Sequence, residues 1–369
     1  MLDEQGNPRG FGIEEEYLLL DAKTGMPANG AEQVIRDVDS AAQPTEHEFL
    51  ASQLETATPV CTTAEEAESS LRGFRDTVAQ TAERQGMVLA SSGLPPLGGD
   101  TEGTVTPKSR YQLIREEMRG VAAHQYAIGT HVHVAVPSRD AGVEVIDRIS
   151  RWMPVLLALT ANSPLWCGND TGFASWRYIQ GLMWPISGYP PSFADGAQYE
   201  DAVARLIDTG VLIDAGHLTW TARLSANYPT VEVRIADAQL EVGESVAFAV
   251  IVRALVNRAL REIAESIPRP QLGPGIVDGA IWIAARNGLR SDLTDPVVAD
   301  TVPAFTLVDR MIATVEEELQ FSEEWDRVQQ YLDGLRERGG PADRQLLAHE
   351  NGGIDALLKL YRSGSHASR

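Results

Sequence analysis

The sequence predicts an α+β fold built on an antiparallel or mixed sheet, with helices packed on one face. Residues 11–20, 129–136 and 229–237 read as strands in which polar and apolar side chains alternate. A doubly wound parallel sheet would instead show continuous apolar runs, because both of its faces are buried. The apolar side of these strands is therefore expected to face the core, and the polar side to form the wall of a cleft.

Helical patterns separate the strand-like stretches. Thr63 and Glu66 form a capping box before a helix expected over residues 64–85. Further helices are expected at 109–120, 143–160, 175–183, 198–208, 244–265, 277–285, 302–321 and 323–338, and in two pieces within 341–361. No change in composition requires a second domain, so residues 1–369 are expected to form a single domain with a disordered tail at 364–369.

The charge balance limits the classes of partner. The 369 residues include 52 acidic and 31 basic side chains, which give a formal net charge of −21. This balance argues against nucleic acid or a membrane as the main partner, but not against a small polyanion bound by local arginines or metal ions. No signal peptide or membrane-spanning run is recognised. Cys61 and Cys167 show no CxxC spacing, so a reduced cytoplasmic location is expected.

Ionisable residues recur in the middle of the strand-like stretches. The set comprises Glu14 and Glu16, Glu55, His131 and His133, and Glu232 and Arg234. The members of each pair lie two positions apart, so both point to the same face of their strand. Charges confined to strand centres are harder to explain as solvated surface than charges in loops. Acids, imidazoles and an arginine are therefore expected to meet on one face of the sheet.

This combination of side chains predicts a particular chemistry. Neighbouring carboxylates repel each other unless a cation lies between them, and Mg²⁺ or Mn²⁺ prefers oxygen ligands. An arginine such as Arg234 binds phosphate oxygens. The set therefore predicts phosphoryl transfer by positioning and charge neutralisation. The glycine-rich segment 93–99 lacks the Lys-Ser/Thr pair of a P-loop.

Simpler interpretations stay open at this point. The two glutamates of the first strand could be solvated, the histidines could be bonded to backbone, and Glu232 and Arg234 could form a weak surface ion pair. Two alternative functions also stay open. One is a metal-dependent amidohydrolase that uses His131 and His133 at a transition metal, and the other is a non-catalytic nucleotide-binding protein.

Eight segments, in order along nearly the whole chain, add a resemblance. They are FGIEEE at 11–16, QLETAT at 53–58, GTHVHV at 129–134, ANSPLW at 161–166, DTGFASWR at 170–177, PTVEVRIAD at 229–237, WIAARNGL at 282–289 and ADRQ at 342–345. Together they resemble the carboxylate–amine ligase family, also called glutamate–cysteine ligase type 2. The resemblance implies a glutamine-synthetase-like fold in a single catalytic domain over 1–369: a curved, mostly antiparallel sheet with helices on its convex face and the active site on its concave face.

The same resemblance implies an activity and its components. ATP, with Mg²⁺ or Mn²⁺, would phosphorylate an amino-acid-like carboxylate, and an amine would attack the acyl phosphate to give an amide and ADP. The enzyme would be a cytoplasmic homodimer. The implied metal ligands are Glu14, Glu16, Glu55, Glu232 and His131, with Glu48 as a further acidic ligand. The implied catalytic residues are Arg234, Glu232 and Glu55. Arg234 would neutralise the γ-phosphate, His133 and Arg177 would face nucleotide or substrate, and Arg223 would bind the substrate carboxylate.

One segment departs from the family pattern. The family commonly shows Trp-Asp-x-Arg-Pro before the last strand, whereas this chain has WTARL at 220–224. Thr221 and Leu224 therefore replace an acid and a proline. The predicted metal and phosphate ligands are unchanged, so ATP use is expected. The identity of the acid and the amine depends on pocket shape and a few hydrogen bonds, which spacing does not reveal.

Overall fold

The computed structural model describes residues 8–38 and 45–365. Its strands are β1 Phe11–Asp21, β2 Glu46–His47, β3 Gln53–Ala57, β4 Met87–Ala90, β5 Gly129–Ala135, β6 Leu165–Trp166, β7 Asn169–Asp170, β8 Ser187–Gly188, β9 Thr219–Trp220, β10 Ala222–Leu224, β11 Thr230–Asp237, β12 Asp292–Asp295 and β13 Asp300–Pro303. Its helices are α1 Ala31–Asp37, α2 Ala64–Arg84, α3 Ser109–Met118, α4 Gly120–Ala123, α5 Arg139–Ile149, α6 Met153–Thr160, α7 Trp176–Gly181, α8 Gly196–Asp208, α9 Val242–Ala264, α10 Pro274–Asn287, α11 Ala304–Thr314, α12 Glu316–Phe321, α13 Trp325–Arg338 and α14 Pro341–Ser365.

The main sheet is open and antiparallel. Its strand order is β10-β11-β5-β1-β3-β2, and β4 pairs with the second half of β1. The central strand β1 therefore contacts β3 on one side, and β5 and then β4 on the other. This arrangement confirms the α+β fold with a mostly antiparallel sheet.

One face of the sheet is committed to the core. Ile13 of β1, Val132 of β5 and Val233 of β11 point to this face and are fully buried. The long helix α9 contacts β1 and β5, and α6 contacts β11. Burial of each aliphatic side chain contributes about 1.5–3 kcal/mol, so this face cannot turn towards water without a large loss of stability. The opposite face is left for the polar residues.

A buried ion pair joins β1 to the helices on the core face. Arg75 of α2 binds Glu15 through Nη2 at 2.7 Å and Nε at 3.0 Å, and both side chains are 1% exposed. Arg75 also donates to the carbonyls of Gln239 and Leu240, just before α9. Breaking such a pair would leave a buried charge without a partner. The middle glutamate of the EEE run therefore has a structural role and is absent from the polar face.

The structure divides two of the predicted helices. The stretch 143–160 becomes α5 and α6, separated by a 3₁₀ turn at Ser150–Trp152, and Pro154 lies near the start of α6, where its missing N–H is tolerated. The stretch 302–321 becomes α11 and α12, because Val315 has non-helical backbone angles. The predicted division of the last helix is confirmed, with a kink at Gly352 and Gly353. The capping box at Thr63 is confirmed as well.

Two residues of the tail predicted to be disordered, 364 and 365, are among the described residues, and both are helical. Gly364 and Ser365 belong to α14, and the Ser365 hydroxyl donates to the Leu89 carbonyl at 2.9 Å. Residues 366–369 lie outside the described residues, and the single-domain assignment stays a prediction. No helix within 8–38 and 45–365 has both the length and the apolar character that crossing a membrane requires.

Candidate active site

Strand register brings the predicted residues to one face of the sheet. The cross-strand pairs are Glu14 with His131, Glu16 with Glu55, His133 with Glu232, and Arg223 with Glu232. Directly paired residues of antiparallel strands point to the same side. The ionisable side chains of five strands therefore share the face opposite the apolar core.

Part of this face carries its own charge compensation. The compensated cluster, as we call it, consists of Glu14, His131, His133 and Glu232. His133 Nε2 lies 3.1 Å from a Glu14 oxygen, and His131 Nδ1 lies 3.4 Å from the other. Although burial alone would raise it, the pKa of Glu14 stays well below its usual range because both histidines interact with the carboxylate. Burial and the charge of Arg234 lower the pKa of His131 to about 4, so this imidazole is neutral at physiological pH.

Two arginines hold the carboxylate of Glu232. Arg223 binds it through two nitrogens, at 2.7 and 3.1 Å, and Arg234 binds Oε1. Burial opposes ionisation, but the charges of Arg234 and Arg223 hold the pKa of Glu232 well below its usual range. Arg234 Nη1 also lies 3.2 Å from His131 Nδ1. Glu232 is therefore an ionised carboxylate at the junction of two arginines and two imidazoles.

A second group on the same face has the opposite electrostatics. The acid trio consists of Glu16 of β1, Glu55 of β3 and Glu48, which follows β2. Burial, and then the charge of Glu48, raise the pKa of Glu16 to about 8. Burial raises the pKa of Glu48, and burial with the charges of Glu48 and Glu16 raises that of Glu55 well above its usual range. Three partly buried carboxylates, of which Glu16 and Glu55 are also disfavoured as anions by their neighbours, require protons or an added cation.

The donor atoms fit a hard divalent cation. Single ligand atoms of Glu14, His133 and Glu232 lie within 4.8 Å of one another. The acid trio offers three further carboxylates, which are the ligands that Mg²⁺ and Mn²⁺ prefer. His131 Nε2 lies 3.9 Å from a Glu16 oxygen and so adjoins both groups. All six predicted ligands are therefore brought together, and their roles as ligands stay predictions.

A cavity of about 200 Å³ opens beside the acid trio. Glu16, Glu48 and His131 line it together with Arg177 and Arg234. This arrangement places cationic side chains next to a group of acids that needs a cation. A polyanion bound together with a divalent ion would satisfy both.

The predicted role of Arg223 finds no support in its contacts. Its Nη1 donates to the carbonyls of Gly216 and Leu218, and its other nitrogens bind Glu232. It is absent from the residues that line the cavity. Binding of a substrate carboxylate by Arg223 would require these contacts to break, so that role stays a prediction.

The sequence reasoning missed the far wall of the cavity. Arg110 and Tyr111 of α3 lie there with Trp184, whose indole N–H donates to Gln125 at 3.0 Å. Arg110 is paired with Asp214 through two contacts of 2.7 and 2.9 Å. Nothing in the local sequence distinguishes Arg110 and Tyr111 from an ordinary helix start. Only the tertiary structure reveals them, because Tyr111 contacts His47 and Phe49 on either side of Glu48.

The two departures from the family pattern have different surroundings. Thr221 lines the cavity, and its hydroxyl oxygen is buried without a hydrogen-bond partner among the described residues. Leu224 is 4% exposed and belongs to the hydrophobic core. The change at position 221 therefore removes a negative charge from the cavity wall, whereas the change at 224 lies in the core.

Solved structures share this fold. The glutamate–cysteine ligase of Francisella tularensis, in complex with AMP, matches over 97% of this chain and 88% of that chain, with a TM-score of 0.69 and 13% sequence identity. The bifunctional glutathione synthetase of Pasteurella multocida matches over 97% of this chain and 52% of that chain, with a TM-score of 0.68 and 15% identity. At these identities the likeness concerns the fold alone. The class it defines is that of proteins with a glutamate–cysteine ligase fold.

Sequence comparison establishes the family. The profile described as glutamate–cysteine ligase family 2 matches residues 10–360. A protein of Saccharopolyspora erythraea, provisionally named glutamate–cysteine ligase 2-2, is 39% identical over 364 residues, which are 97% of this chain and 93% of the relative. A protein of Rhodopirellula baltica, provisionally named glutamate–cysteine ligase 2, is 35% identical over 340 residues, 90% of this chain and 91% of the relative. The chain belongs to glutamate–cysteine ligase family 2, which confirms the resemblance.

Proposed function

We propose that this protein is an ATP-dependent carboxylate–amine ligase, which forms an amide through an acyl phosphate and releases ADP. The observation that carries the proposal is the acid trio beside Arg177 and Arg234 on one face of the sheet, at the edge of a cavity. Phosphoryl transfer requires little covalent chemistry from the protein, and depends mainly on positioning and charge stabilisation. Membership in a ligase family favours this reaction over the amidohydrolase alternative.

The proposed reaction has two steps. A carboxylate oxygen of the acid attacks the γ-phosphorus of ATP, and the bond to the bridging oxygen breaks to release ADP. The amine nitrogen then attacks the acyl carbon, inorganic phosphate leaves with the electron pair of the C–O bond, and the nitrogen loses a proton to solvent. Each step develops negative charge on phosphate oxygens.

The residues of this chain have proposed roles in those steps. Glu14, Glu16, Glu48, Glu55, Glu232 and His131 would hold Mg²⁺ or Mn²⁺. His133, which has a ring nitrogen within 4.8 Å of ligand atoms of Glu14 and Glu232, would be a further ligand. The bound ion would neutralise charge on the phosphate oxygens. Arg234, which faces the cavity from β11, would bind the γ-phosphate, and Arg177 would orient the nucleotide. The nucleotide contact of His133, which is not among the cavity-lining residues, stays a prediction. Arg234 would then exchange its contact with Glu232 for a phosphate oxygen.

The proposal also concerns the identity of the acid and the amine. Glutamate and cysteine are the first candidates, because the relatives carry the glutamate–cysteine ligase name. The neutral Thr221 in the cavity wall favours testing other amino-acid-like acids and amines as well. A homodimer in the cytoplasm stays a prediction from the resemblance.

A substrate panel tests the proposal. The protein is incubated with ATP, Mg²⁺ and pairs of acids and amines, and ADP release and condensed products are measured by mass spectrometry. We expect at least one pair to give ADP and a product lighter than the summed substrates by one water. Arg234→Met should abolish the product, whereas Arg205→Met, which alters an exposed surface arginine, should not.

The outcomes separate the candidate functions. Absence of ADP and of product throughout the panel would contradict the ligase. Nucleotide binding without turnover would favour the non-catalytic nucleotide-binding alternative. Hydrolysis of an amide without ATP, with a tightly held transition metal, would favour the amidohydrolase.

A further inference from the structure

Four of the eight segments that carry the family resemblance contribute no residue to the compensated cluster or the acid trio: 161–166, 170–177, 282–289 and 342–345. All four lie around one buried carboxylate, that of Asp237, the last residue of β11. Asp237 Oδ2 accepts from the backbone N–H of Asn162 and from the Ser163 hydroxyl, both at 2.7 Å. Oδ1 accepts from the Ser175 hydroxyl at 2.8 Å. The segments 161–166, 170–177 and 229–237 are thus joined by one side chain.

The segments 282–289 and 342–345 bind the residues that contact Asp237. Gln345, in the segment 342–345, donates to the Asn162 side-chain oxygen at 2.6 Å. The carbonyl of Ala285, in the segment 282–289, accepts from the Ser175 backbone N–H at 2.9 Å. Five separate pieces of the chain therefore hold the groups around Asp237 in place. The contacts of five segments fix the Asp237 carboxylate behind the cavity wall, so its function is to be sought in the side chain that it faces.

The side chain next to this junction is Arg177. Its Nη1 lies 3.7 Å from Asp237 Oδ1, and its backbone N–H donates to the Ser163 hydroxyl at 3.0 Å. Its guanidinium also reaches the carbonyls of Ile235 and Arg234, at 3.4 and 3.5 Å. The Arg177 side chain is 15% exposed and lines the cavity. Asp237 thus lies behind a cation that faces the nucleotide side of the proposed site.

Two glycines make room for this pair. A Cβ at Gly129 would lie 2.3 Å from Arg177 Nη2, and one at Gly93 would lie 2.8 Å from the Asp237 carboxyl carbon. Both distances are too short for any real contact, so any other residue at either position would displace the pair. The backbone of β5 and the loop after β4 are therefore shaped around the two charged groups.

We propose that Asp237 is a positioning residue that holds the Arg177 guanidinium at the cavity wall to bind a nucleotide phosphate. This inference rests on the proposed function and adds to it the residue that orients the second arginine. A planar guanidinium binds phosphate best in a fixed orientation, and a buried carboxylate with three other hydrogen bonds is a rigid support for it. Asp237 acts through Arg177 and does not touch the nucleotide.

Calorimetric binding of ATP with Mg²⁺ to the full chain tests this inference. We expect Asp237→Asn to weaken binding about tenfold, because the guanidinium loses its charged partner. Arg177→Met should weaken binding at least as much. In the double variant, Asp237→Asn should add no further loss, because the residue through which it acts is already absent.

A matched control separates positioning from folding. Asp147 is also a buried carboxylate with a serine and an arginine partner, Ser192 and Arg269, but it lies outside the cavity. Asp147→Asn should lower the melting temperature and leave ATP binding unchanged. If Asp237→Asn does not fold, Ser175→Ala decides by the same comparison. It removes the hydrogen bond to Oδ1 and also the cap contact with the Tyr178 N–H at the start of α7. Ser138→Ala, which removes only the equivalent cap of α5 outside the cavity, is its control and should leave ATP binding unchanged.

Each result has a defined meaning. Equal ATP affinity of Asp237→Asn and the unaltered protein would overturn the inference while the proposed function stands. An equal further loss in the Arg177→Met background would overturn it too, because Asp237 would then act independently of Arg177. Failure of the unaltered protein to bind ATP would overturn the proposed function itself, and with it this inference.

Discussion

The compensated cluster and the acid trio lie side by side on one sheet face and are made from the same residue type. In the compensated cluster, histidines and arginines hold the pKa values of Glu14 and Glu232 low. In the acid trio, burial raises the pKa values of all three carboxyl groups, and neighbouring carboxylates raise those of Glu16 and Glu55 further. The carboxylates of the first group are thus compensated by side chains of the chain itself, whereas those of the second would be compensated only by protons or by an added cation.

The comparison also explains the EEE run of β1. Its three glutamates have three environments: Glu14 faces histidines, Glu15 faces the core and Arg75, and Glu16 faces other acids. A carboxylate's pKa therefore depends on its neighbours across strands rather than on its neighbours in sequence. Four measurements test the contrast between the two groups of carboxylates.

The largest effect is expected in the compensated cluster. Glu232→Gln removes the charge that Arg223 and Arg234 share, and leaves two partly buried arginines without an ionised partner. We expect the free energy of unfolding to fall by about 3 kcal/mol or more. Urea denaturation measures the change. The control Glu200→Gln, in an exposed pair with Arg139, should cost less than about 1 kcal/mol. A loss as small as the control's would contradict the compensated description.

In the acid trio the effect on stability should have the opposite sign. Glu55→Gln removes one of three repelling carboxylates, so the cation-free protein should become more stable. Activity in the substrate panel should nevertheless fall at least about 100-fold, because the site loses a charge that binds the cation. Thermal unfolding and product formation report the two quantities. The control Glu350→Gln, at an exposed position of α14 outside the cavity lining, should change neither. A cation-free protein destabilised by Glu55→Gln would contradict the repulsion.

The acid trio should also make cation binding depend on pH. The pKa of Glu16 is raised from 4.5 to about 8, so its proton stabilises the cation-free fold fully below about pH 4.5, and this contribution is lost as the pH rises through about 8. A bound Mg²⁺ replaces that proton, so its apparent affinity should increase about tenfold per pH unit between about pH 6 and pH 8. Melting temperatures with and without Mg²⁺ across this range measure both trends. Glu16→Gln should flatten the dependence, and an unaltered slope in that variant would assign the proton to another group.

The smallest effect concerns the orientation of His133. Thr230 Oγ1 lies 3.0 Å from His133 Nδ1 and so selects the nitrogen that faces Glu14. Thr230→Val should lower Mn²⁺ affinity about tenfold, as expected for loss of a partner behind a ligand. Isothermal titration with Mn²⁺ measures the change, and Thr209→Val, at an exposed helix end, is the control. If affinity is the same in both variants, His133 is not oriented by Thr230 for metal binding.

Much of the site was predictable because strand alternation is a local property. The period of two assigned Glu14, Glu16, His131, His133 and Glu232 to one side of their strands, and the structure agrees. The antiparallel fold followed from the same alternation. Helix boundaries inside apolar stretches were less predictable. In 143–160, the apolar pattern continues through the 3₁₀ turn that separates α5 from α6.

Other features had no local signal. Glu48 follows a strand of two residues, and only pairing of β2 with β3 carries it to Glu16 and Glu55. Arg223 alternates correctly, yet its side chain binds Glu232 and two carbonyls rather than facing the cavity. Arg110 lines the cavity wall, where it is paired with Asp214, which is distant in the sequence. Each of these depends on partners distant in the chain.

The sequence by itself determined which side chains face away from the core and which family the chain belongs to, since periodicity and ordered motifs are written along the chain. The tertiary structure alone decided which carboxylates are paired with cations, which repel one another, and that Asp237 lies behind Arg177. The physical reason is that a charge's state depends on burial and on neighbours within a few ångströms. Those neighbours come from strands and loops far apart in sequence.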